Sequence, residues 1–271
     1  MAIDKCFLCG SDGTLQLGHV IPRFATNYIK RTSGKRGHKR LRRGYDGAVT
    51  QDGAKYRMFC RSCEQLLSKD EAMFSRQAFG KSYFSASKPV PYEEWMLRFA
   101  VGLMLRVCAA ELHFADPSLV ARPLKTRERR EFDRACDDFR YYLRGDAIWP
   151  GKLAPLRLSF GLRSVPADRI IRNPVDQYMT RGVDYTLAID GGILAVYAHI
   201  PSHVFWTQIS PKTVKESDWP NSRIRKKGLI DMYRKQSAPD YFWEFLEERV
   251  SITMETFSDS LQKTIAWQEQ G

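Results

Sequence analysis

Cys6-Phe7-Leu8-Cys9 and Cys60-Arg61-Ser62-Cys63 are two C-x-x-C pairs that flank a long insert in the first quarter of this chain. Two intervening residues let both thiolates of a pair reach one ion at about 2.3 Å, and two pairs complete a tetrahedron. A thioredoxin-like redox motif would need only one pair, placed at a βα junction, and chance is the remaining alternative. The spacing therefore predicts one structural zinc ion (Zn²⁺), bound by Cys6, Cys9, Cys60 and Cys63.

The insert between the two pairs contains strand and turn signals. The stretch from Leu15 to Pro22 alternates in polarity, which predicts a strand that ends at the proline and contains His19 beside Gly18. Residues 49–59 predict a turn and a second strand, and residues 64–79 have a helical composition. The predicted order is cysteine pair, strand with histidine, basic residues, strand, cysteine pair and helix.

A run of basic residues without any acid lies inside the insert. The whole chain has 43 basic and 31 acidic residues, a net charge of +12. Such an excess favours a polyanionic partner, because binding releases counterions. We interpret the run, named here the basic segment, as a phosphate-binding arm, and a solvated surface loop is the alternative. Its members are Lys30, Arg31, Lys35, Arg36, Lys39, Arg40, Arg42 and Arg43.

The order of these elements resembles the zinc-stapled HNH endonucleases, whose ββα-metal core has C-x-x-C, an Asp-His-Ile-x-Pro-like strand, an Asn and a second C-x-x-C. The resemblance covers residues 3 to 80, and Gly18-His19-Val20-Ile21-Pro22 matches the strand motif. It implies that His19 is the general base that activates water. It also implies a divalent ion, Mg²⁺ or Mn²⁺, which stabilises the scissile phosphate and the leaving oxygen.

The chain departs from the family pattern at the positions that hold this second ion. The family usually has Asp or His before the base, where this chain has Gly18, and Lys55 falls near the expected place of the Asn. Glu64 follows the last cysteine, and carboxylates are competent ligands for Mg²⁺ or Mn²⁺. The other candidate ligands are Asp52 and Glu71. Glu71 lies two helical turns after Glu64, so it can share the same helix face.

Two of these candidates have a structural alternative. A histidine within a strand is often a hydrogen-bonded structural residue, and this interpretation of His19 stays open. For Glu64 the alternative is an acid at the start of a helix, where the helix dipole favours negative charge.

The remaining two thirds of the chain carries no motif of known chemistry. Apolar residues at helical spacing predict a buried helix from Trp95 to about Phe114, and a charged helix follows over 126–143, ended by Gly145. Strands over 185–189 and 193–200 flank Asp190-Gly191-Gly192, a hairpin signal, and 204–209 adds a third strand. Helices are predicted over 223–235 and 239–266.

We therefore expect an α+β protein. A small zinc-stapled ββα (HNH-like) module, residues 1–90, precedes a larger domain of mixed helices and antiparallel strands, residues 91–271. The expected function is metal-dependent hydrolysis of phosphodiester bonds in nucleic acid, with His19 as general base. The alternative is a non-catalytic, zinc-dependent nucleic-acid-binding or adaptor protein with a degenerate HNH site.

The expected partner is nucleic acid, DNA in preference to RNA, and the larger domain is open to a protein partner. No uncharged apolar run of about 18 residues occurs, so we expect no membrane span. The N-terminal sequence lacks a basic region followed by an apolar core, so we expect no signal peptide and a cytoplasmic location.

Overall fold

The protein combines α-helices with antiparallel β-sheets. The computed structural model describes residues 5–32, 40–41, 49–50, 53–79, 89–113, 123–146, 157–160, 178–179, 182–211, 217, 219, 222–231 and 238–252. Of these, 40–41, 49–50, 113, 157–160 and 190 are described by their backbone alone.

The elements are numbered in chain order. The strands are β1 (Leu15–His19), β2 (Arg40–Leu41), β3 (Val49–Thr50), β4 (Lys55–Cys60), β5 (Val90–Tyr92), β6 (Arg157–Phe160), β7 (Asp184–Asp190), β8 (Ile193–Ile200), β9 (His203–Ser210) and β10 (Gly228–Ile230). The helices are α1 (Arg23–Thr32), α2 (Arg61–Phe74), α3 (Glu94–His113), α4 (Thr126–Arg144) and α5 (240–252). Helix α2 continues as a π-helix over Ser75–Phe79.

The first part of the chain forms a two-stranded antiparallel sheet followed directly by a helix. Strand β1 pairs with β4, with Leu15 opposite Cys60 and His19 opposite Lys55, and a β-bulge interrupts the register after Gln16. Helix α2 begins at the residue after β4, so the strand pair and the helix form a ββα unit. Helix α1 follows β1 and buries Tyr28 and Ile29.

A four-stranded antiparallel sheet, in the order β6-β9-β8-β7, forms the centre of the later part of the chain. Alternate residues of a strand point to opposite faces, and both faces of this sheet are covered. One face carries Val196, Ala198 and Phe205 into the core that contains α3. The other face carries Tyr197 and Trp206 into a cluster with Trp219 and with Phe242, Leu246 and Val250 of α5.

Helix α3 is the central element of the core. Nearly every position from Met96 to Ala110 is buried, as in a helix that is covered on all sides. Helix α2 approaches α3 closely at Gly102, where an added Cβ would lie 3.0 Å from Leu67. Aromatic rings continue the contact, since Phe74 stacks on Phe99 at a centroid distance of 4.1 Å. The core thus joins the ββα unit to the later sheet.

Several local predictions are confirmed. The buried helix, the charged helix and the three strands of the β7-β8-β9 meander lie within a residue or two of the predicted bounds. Gly145 ends α4 with a φ of 85°, in the left-handed region where glycine is favoured. The described part of the last predicted helix is α5, and residues 253–266 lie outside the described residues.

The predicted helix over 223–235 is wrong. Residues 228–230 form β10, which pairs with β5. Gly228 has no side chain, and a Cβ there would collide with the ring of Tyr92. The backbone N–H of Arg225 also donates to the Tyr92 hydroxyl at 3.3 Å. Contacts with a distant strand therefore hold this segment extended, and its local sequence does not show them.

The basic segment begins in a helix rather than in a loop. Lys30 and Arg31 lie in the last turn of α1. The sequence pattern predicts a strand up to Pro22 and no helix directly after it. The division of the chain at residue 90 stays a prediction, and the aromatic contacts described above cross it. Among the helices that the structure describes, none combines the length and apolar character that crossing a membrane requires.

Candidate metal centre and adjoining histidine pocket

The four predicted cysteines converge on one point. The Sγ atoms of Cys6, Cys9, Cys60 and Cys63 all lie within 4.8 Å of one another. A tetrahedral zinc with Zn–S bonds of about 2.3 Å places its sulfurs about 3.8 Å apart. The Sγ atoms of Cys9 and Cys60 are 3.9 Å apart. The predicted convergence is confirmed, and this set of four sulfurs can hold a metal ion such as zinc.

Backbone hydrogen bonds fix the first pair against the second strand. The N–H of Cys60 donates to the Sγ of Cys6 at 3.3 Å. The N–H of Gly10 donates to the Cys6 carbonyl at 2.8 Å, with Gly10 at a φ of 75° that favours glycine. The N–H of Phe7 donates to the Met58 carbonyl at 2.9 Å. The pair therefore forms a tight turn attached to β4.

Hydrogen bonding and burial act in opposite directions on the pKa values of these thiols. The Ser62 hydroxyl, 3.1 Å from the Cys60 sulfur, lowers the pKa of Cys60 to about 6. Burial raises the pKa of Cys6 and of Cys63. Buried thiolates become favourable once a metal ion supplies the positive charge, and the first turn of α2 adds the positive end of the helix dipole at Cys63. The identity of the ion stays a prediction.

A pocket of about 390 Å³ lies beside this centre, between the end of β1 and the first turns of α2. We name it the His19 pocket. His19 is half-buried, whereas Arg23 at the start of α1 and Arg61 at the start of α2 are exposed. The residues that decide its charge and chemistry are His19, Arg23, Arg61, Glu64, Glu71 and Arg106.

Arg106 of α3 crosses to α2 and pairs with both glutamates of the pocket. Its Nη1 and Nη2 donate to the two carboxylate oxygens of Glu64 at 3.1 and 2.8 Å. Its Nε and Nη2 donate to Oε1 of Glu71 at 3.1 and 2.9 Å. Nη1 also donates to the His19 carbonyl at 3.3 Å. With these contacts all five N–H groups of the guanidinium have an acceptor.

Burial and mutual pairing set the pKa values of Arg106 and Glu71. The Arg106 side chain is only 3% exposed, against 17% for Glu64 and 23% for Glu71. Burial alone would lower the pKa of Arg106, but Glu71 and Glu64 outweigh it and raise that pKa, so the guanidinium stays charged. Burial raises the pKa of Glu71, and the neighbouring Glu64 raises it further against the opposing effect of Arg106. Two carboxylates therefore share one cation.

The structure brings some of the predicted site residues together and leaves others outside what it describes. His19, Glu64 and Glu71 line one pocket, and Glu64 directly follows the metal-site residue Cys63 in the sequence. Asp52 lies outside the described residues, as do Lys35, Arg36, Lys39, Arg42 and Arg43 of the basic segment. Arg40 is described by its backbone alone, in β2. The roles assigned to these residues stay predictions.

Sequence reasoning missed the arginines of the pocket. Arg106 interrupts the most apolar run of the chain, 99–110, and a charge inside a buried helix requires a partner. That signal predicts an acidic partner without saying which one. Arg23 and Arg61 carry no signal of their own, because each is a single exposed arginine at the start of a helix.

Three comparisons with known proteins were made. No family model, no curated protein and no solved structure matches this chain. The site therefore has to be interpreted from its own residues.

Proposed function

We propose that this chain is a nucleic-acid-binding protein, in which the zinc-stapled ββα unit contacts the phosphate backbone around the His19 pocket. Arg23 and Arg61 at the mouth of the pocket and the basic segment supply the cations. The observation that carries the proposal is that two arginines of α3 pair with three of the unit's four described acids, while the unit's own cations outnumber these acids.

The acids of residues 5–32 and 53–79 support this charge argument. They are Asp12, Glu64, Asp70 and Glu71. Asp70 accepts a hydrogen bond from Arg98 of α3 at 3.0 Å, and Glu64 and Glu71 accept from Arg106 of the same helix. Three of the four carboxylates thus pair with two arginines from outside the unit, and Glu64 and Glu71 share one of these arginines.

The cations of the same residues are distributed over the outer surface of the unit. Exposed arginines and lysines of this surface are Lys5, Arg23, Arg31, Arg57, Arg61, Lys69 and Arg76. Clustered cations that outnumber nearby acids attract the phosphate backbone through counterion release. The ββα arrangement beside a four-cysteine centre is also the order of elements found in the HNH-like module that the sequence resembles, and this supports nucleic acid as the polyanion.

Binding is tested by fluorescence anisotropy with labelled duplex DNA and with RNA of the same sequence, at salt concentrations from about 50 to 200 mM. The test variant is Arg23→Gln/Arg61→Gln. Its matched control is Arg127→Gln/Arg129→Gln on α4, which removes the same charge from arginines that pair with Glu131 and Asp133.

The expected result is weaker binding by the pocket variant only. Each lost phosphate contact reduces the slope of log K against log salt by about 1, so the double variant loses about 2. A pocket variant that binds as tightly as the control variant, with the wild-type slope, would contradict the proposal. We expect tighter binding to DNA than to RNA.

Phosphodiester hydrolysis with His19 as general base is the second candidate function. The observation in its favour is that His19 lines the same pocket as two exposed arginines, so an imidazole and two cations share one pocket. The test is plasmid nicking by wild type and by His19→Ala, each with EDTA and with Mn²⁺. Nicking that is equal in both proteins removes this candidate and leaves the binding function in place.

A further inference from the structure

The residues of the His19 pocket do not fit the divalent ion that the resemblance implies. In the family pattern the residue before the base is a ligand, and here it is Gly18. A Cβ added at Gly18 would collide with Oε1 of Glu64 and would lie 3.3 Å from Nη1 of Arg106. Any ligand side chain at this position therefore requires Glu64 to leave its place.

The two candidate ligands among the described residues, Glu64 and Glu71, are already paired. Both oxygens of Glu64 accept hydrogen bonds from Arg106, and Oε1 of Glu71 accepts two. A metal ion that took Glu64 and Glu71 would leave a buried guanidinium without its carboxylates. Removing one partner from a buried ion pair is strongly destabilising because it leaves an uncompensated buried charge, and Mg²⁺ itself gives up its water reluctantly.

We propose that the guanidinium of Arg106 is the resident cation of the His19 pocket, in the place where the family pattern puts a divalent metal ion. The carboxylates of Glu64 and Glu71 pair with a cationic side chain of the protein itself, which α3 carries. The pocket therefore takes up no Mg²⁺ or Mn²⁺ at Glu64 and Glu71. This inference concerns metal binding and is independent of nucleic-acid binding.

The surroundings of Arg106 explain why its guanidinium can serve as the cation between Glu64 and Glu71. Arg106 is the one charged residue in the apolar run 99–110, so the helix is fixed by the burial of its neighbours. Its planar fork has five N–H groups, which match two carboxylates and one carbonyl. The Phe59 ring covers the guanidinium at 5.3 Å and adds a cation–π contact.

The experiment measures Mn²⁺ bound to zinc-loaded protein by electron paramagnetic resonance, with zinc content and circular dichroism recorded for every protein. The variants are Arg106→Met and Glu64→Gln. The matched control is Arg98→Met, which breaks a second ion pair between α3 and α2, the 3.0 Å contact with Asp70. Wild type and the control are expected to bind no Mn²⁺ in the pocket.

Arg106→Met is expected to gain one bound Mn²⁺, because it releases Glu64 and Glu71, and adding Glu64→Gln is expected to abolish the gain. A folded, zinc-loaded Arg106→Met protein that gains no Mn²⁺ overturns the inference. If this variant does not fold, the wild-type chain decides the question. Wild-type protein without a pocket Mn²⁺ supports the inference, and one that binds Mn²⁺ and loses it on Glu64→Gln overturns it.

Discussion

Gly18→Ala tests whether the pocket is built around the missing side chain. An added Cβ would collide with Oε1 of Glu64, and its distance from Cδ of the same residue would be 3.1 Å. A free glutamate would rotate away at little cost. Glu64 cannot do so without breaking its 3.1 Å hydrogen bond with Nη1 of Arg106, whose side chain is 3% exposed.

The magnitude follows from that hydrogen bond. A hydrogen bond to a charged group contributes about 1.5–3 kcal/mol, and a buried donor left without an acceptor adds a penalty of similar size. Part of the loss is recovered because Glu64 keeps its contact with Nη2. We therefore expect Gly18→Ala to lower the free energy of unfolding by about 2 kcal/mol, measured by urea denaturation.

Two further variants show whether the contact with Glu64 causes the loss of stability. Gly53→Ala is the matched control, because its nearest neighbour is a Thr26 methyl group at 3.4 Å, an ordinary contact. We expect this control to change stability by less than about 0.5 kcal/mol. In a Glu64→Ala background the collision is absent and only the 3.3 Å approach to Nη1 of Arg106 remains, so Gly18→Ala should then cost less than about 0.5 kcal/mol. An equal loss in both backgrounds would show that the strand backbone, and not the contact with Glu64, is responsible.

Two other outcomes follow from the metal centre and from the buried histidines. Cys9→Ser should lose stoichiometric zinc and most cooperative unfolding, whereas Cys136→Ser, which changes a buried cysteine outside the four-sulfur group, should keep its zinc. Elemental analysis checks both, and a zinc-loaded Cys9→Ser protein would contradict the assignment. Burial lowers the pKa of His199 and of His203 from 6.5 to about 4. As pH falls below 6.5, these histidines take up protons in the unfolded chain but stay neutral in the folded protein. The free energy of unfolding therefore decreases as pH falls from 6.5 to 4. His203→Phe should remove about 2 kcal/mol of the loss between pH 7 and 4.5, measured by urea unfolding at both pH values, and an unchanged loss would contradict this.

Patterns that depend on neighbours along the chain were predictable from the sequence. The cysteine spacing predicted which four sulfurs converge, because two cysteines with two residues between them can bind one ion from a single turn of the chain. Gly191 and Gly192 adopt positive φ values in the β7-β8 turn, as the hairpin signal requires. Gly145 ends α4 for a similar local reason.

Contacts between distant segments set the limit of prediction. Arg106 is visible in the sequence as a charge in an apolar helix, yet its partners lie 42 and 35 residues away on α2. β10 likewise depends on Tyr92, which lies 133 residues from its partner Arg225. In each case the deciding interaction forms only when the core has assembled, so no local pattern contains it.

Gly18 and Arg106 make physical sense only as a pair. Gly18 leaves the space that Glu64 occupies beside Glu71. Without Arg106, these two neighbouring carboxylates would repel each other in a partly buried site. With a side chain at residue 18, Glu64 would be displaced and Arg106 would lose an acceptor inside the core. Because Arg106 comes from α3, the pocket is complete only when α3 packs on α2. Its chemistry therefore depends on the contact between the ββα unit and the rest of the chain, and loosening that contact changes the charge beside His19.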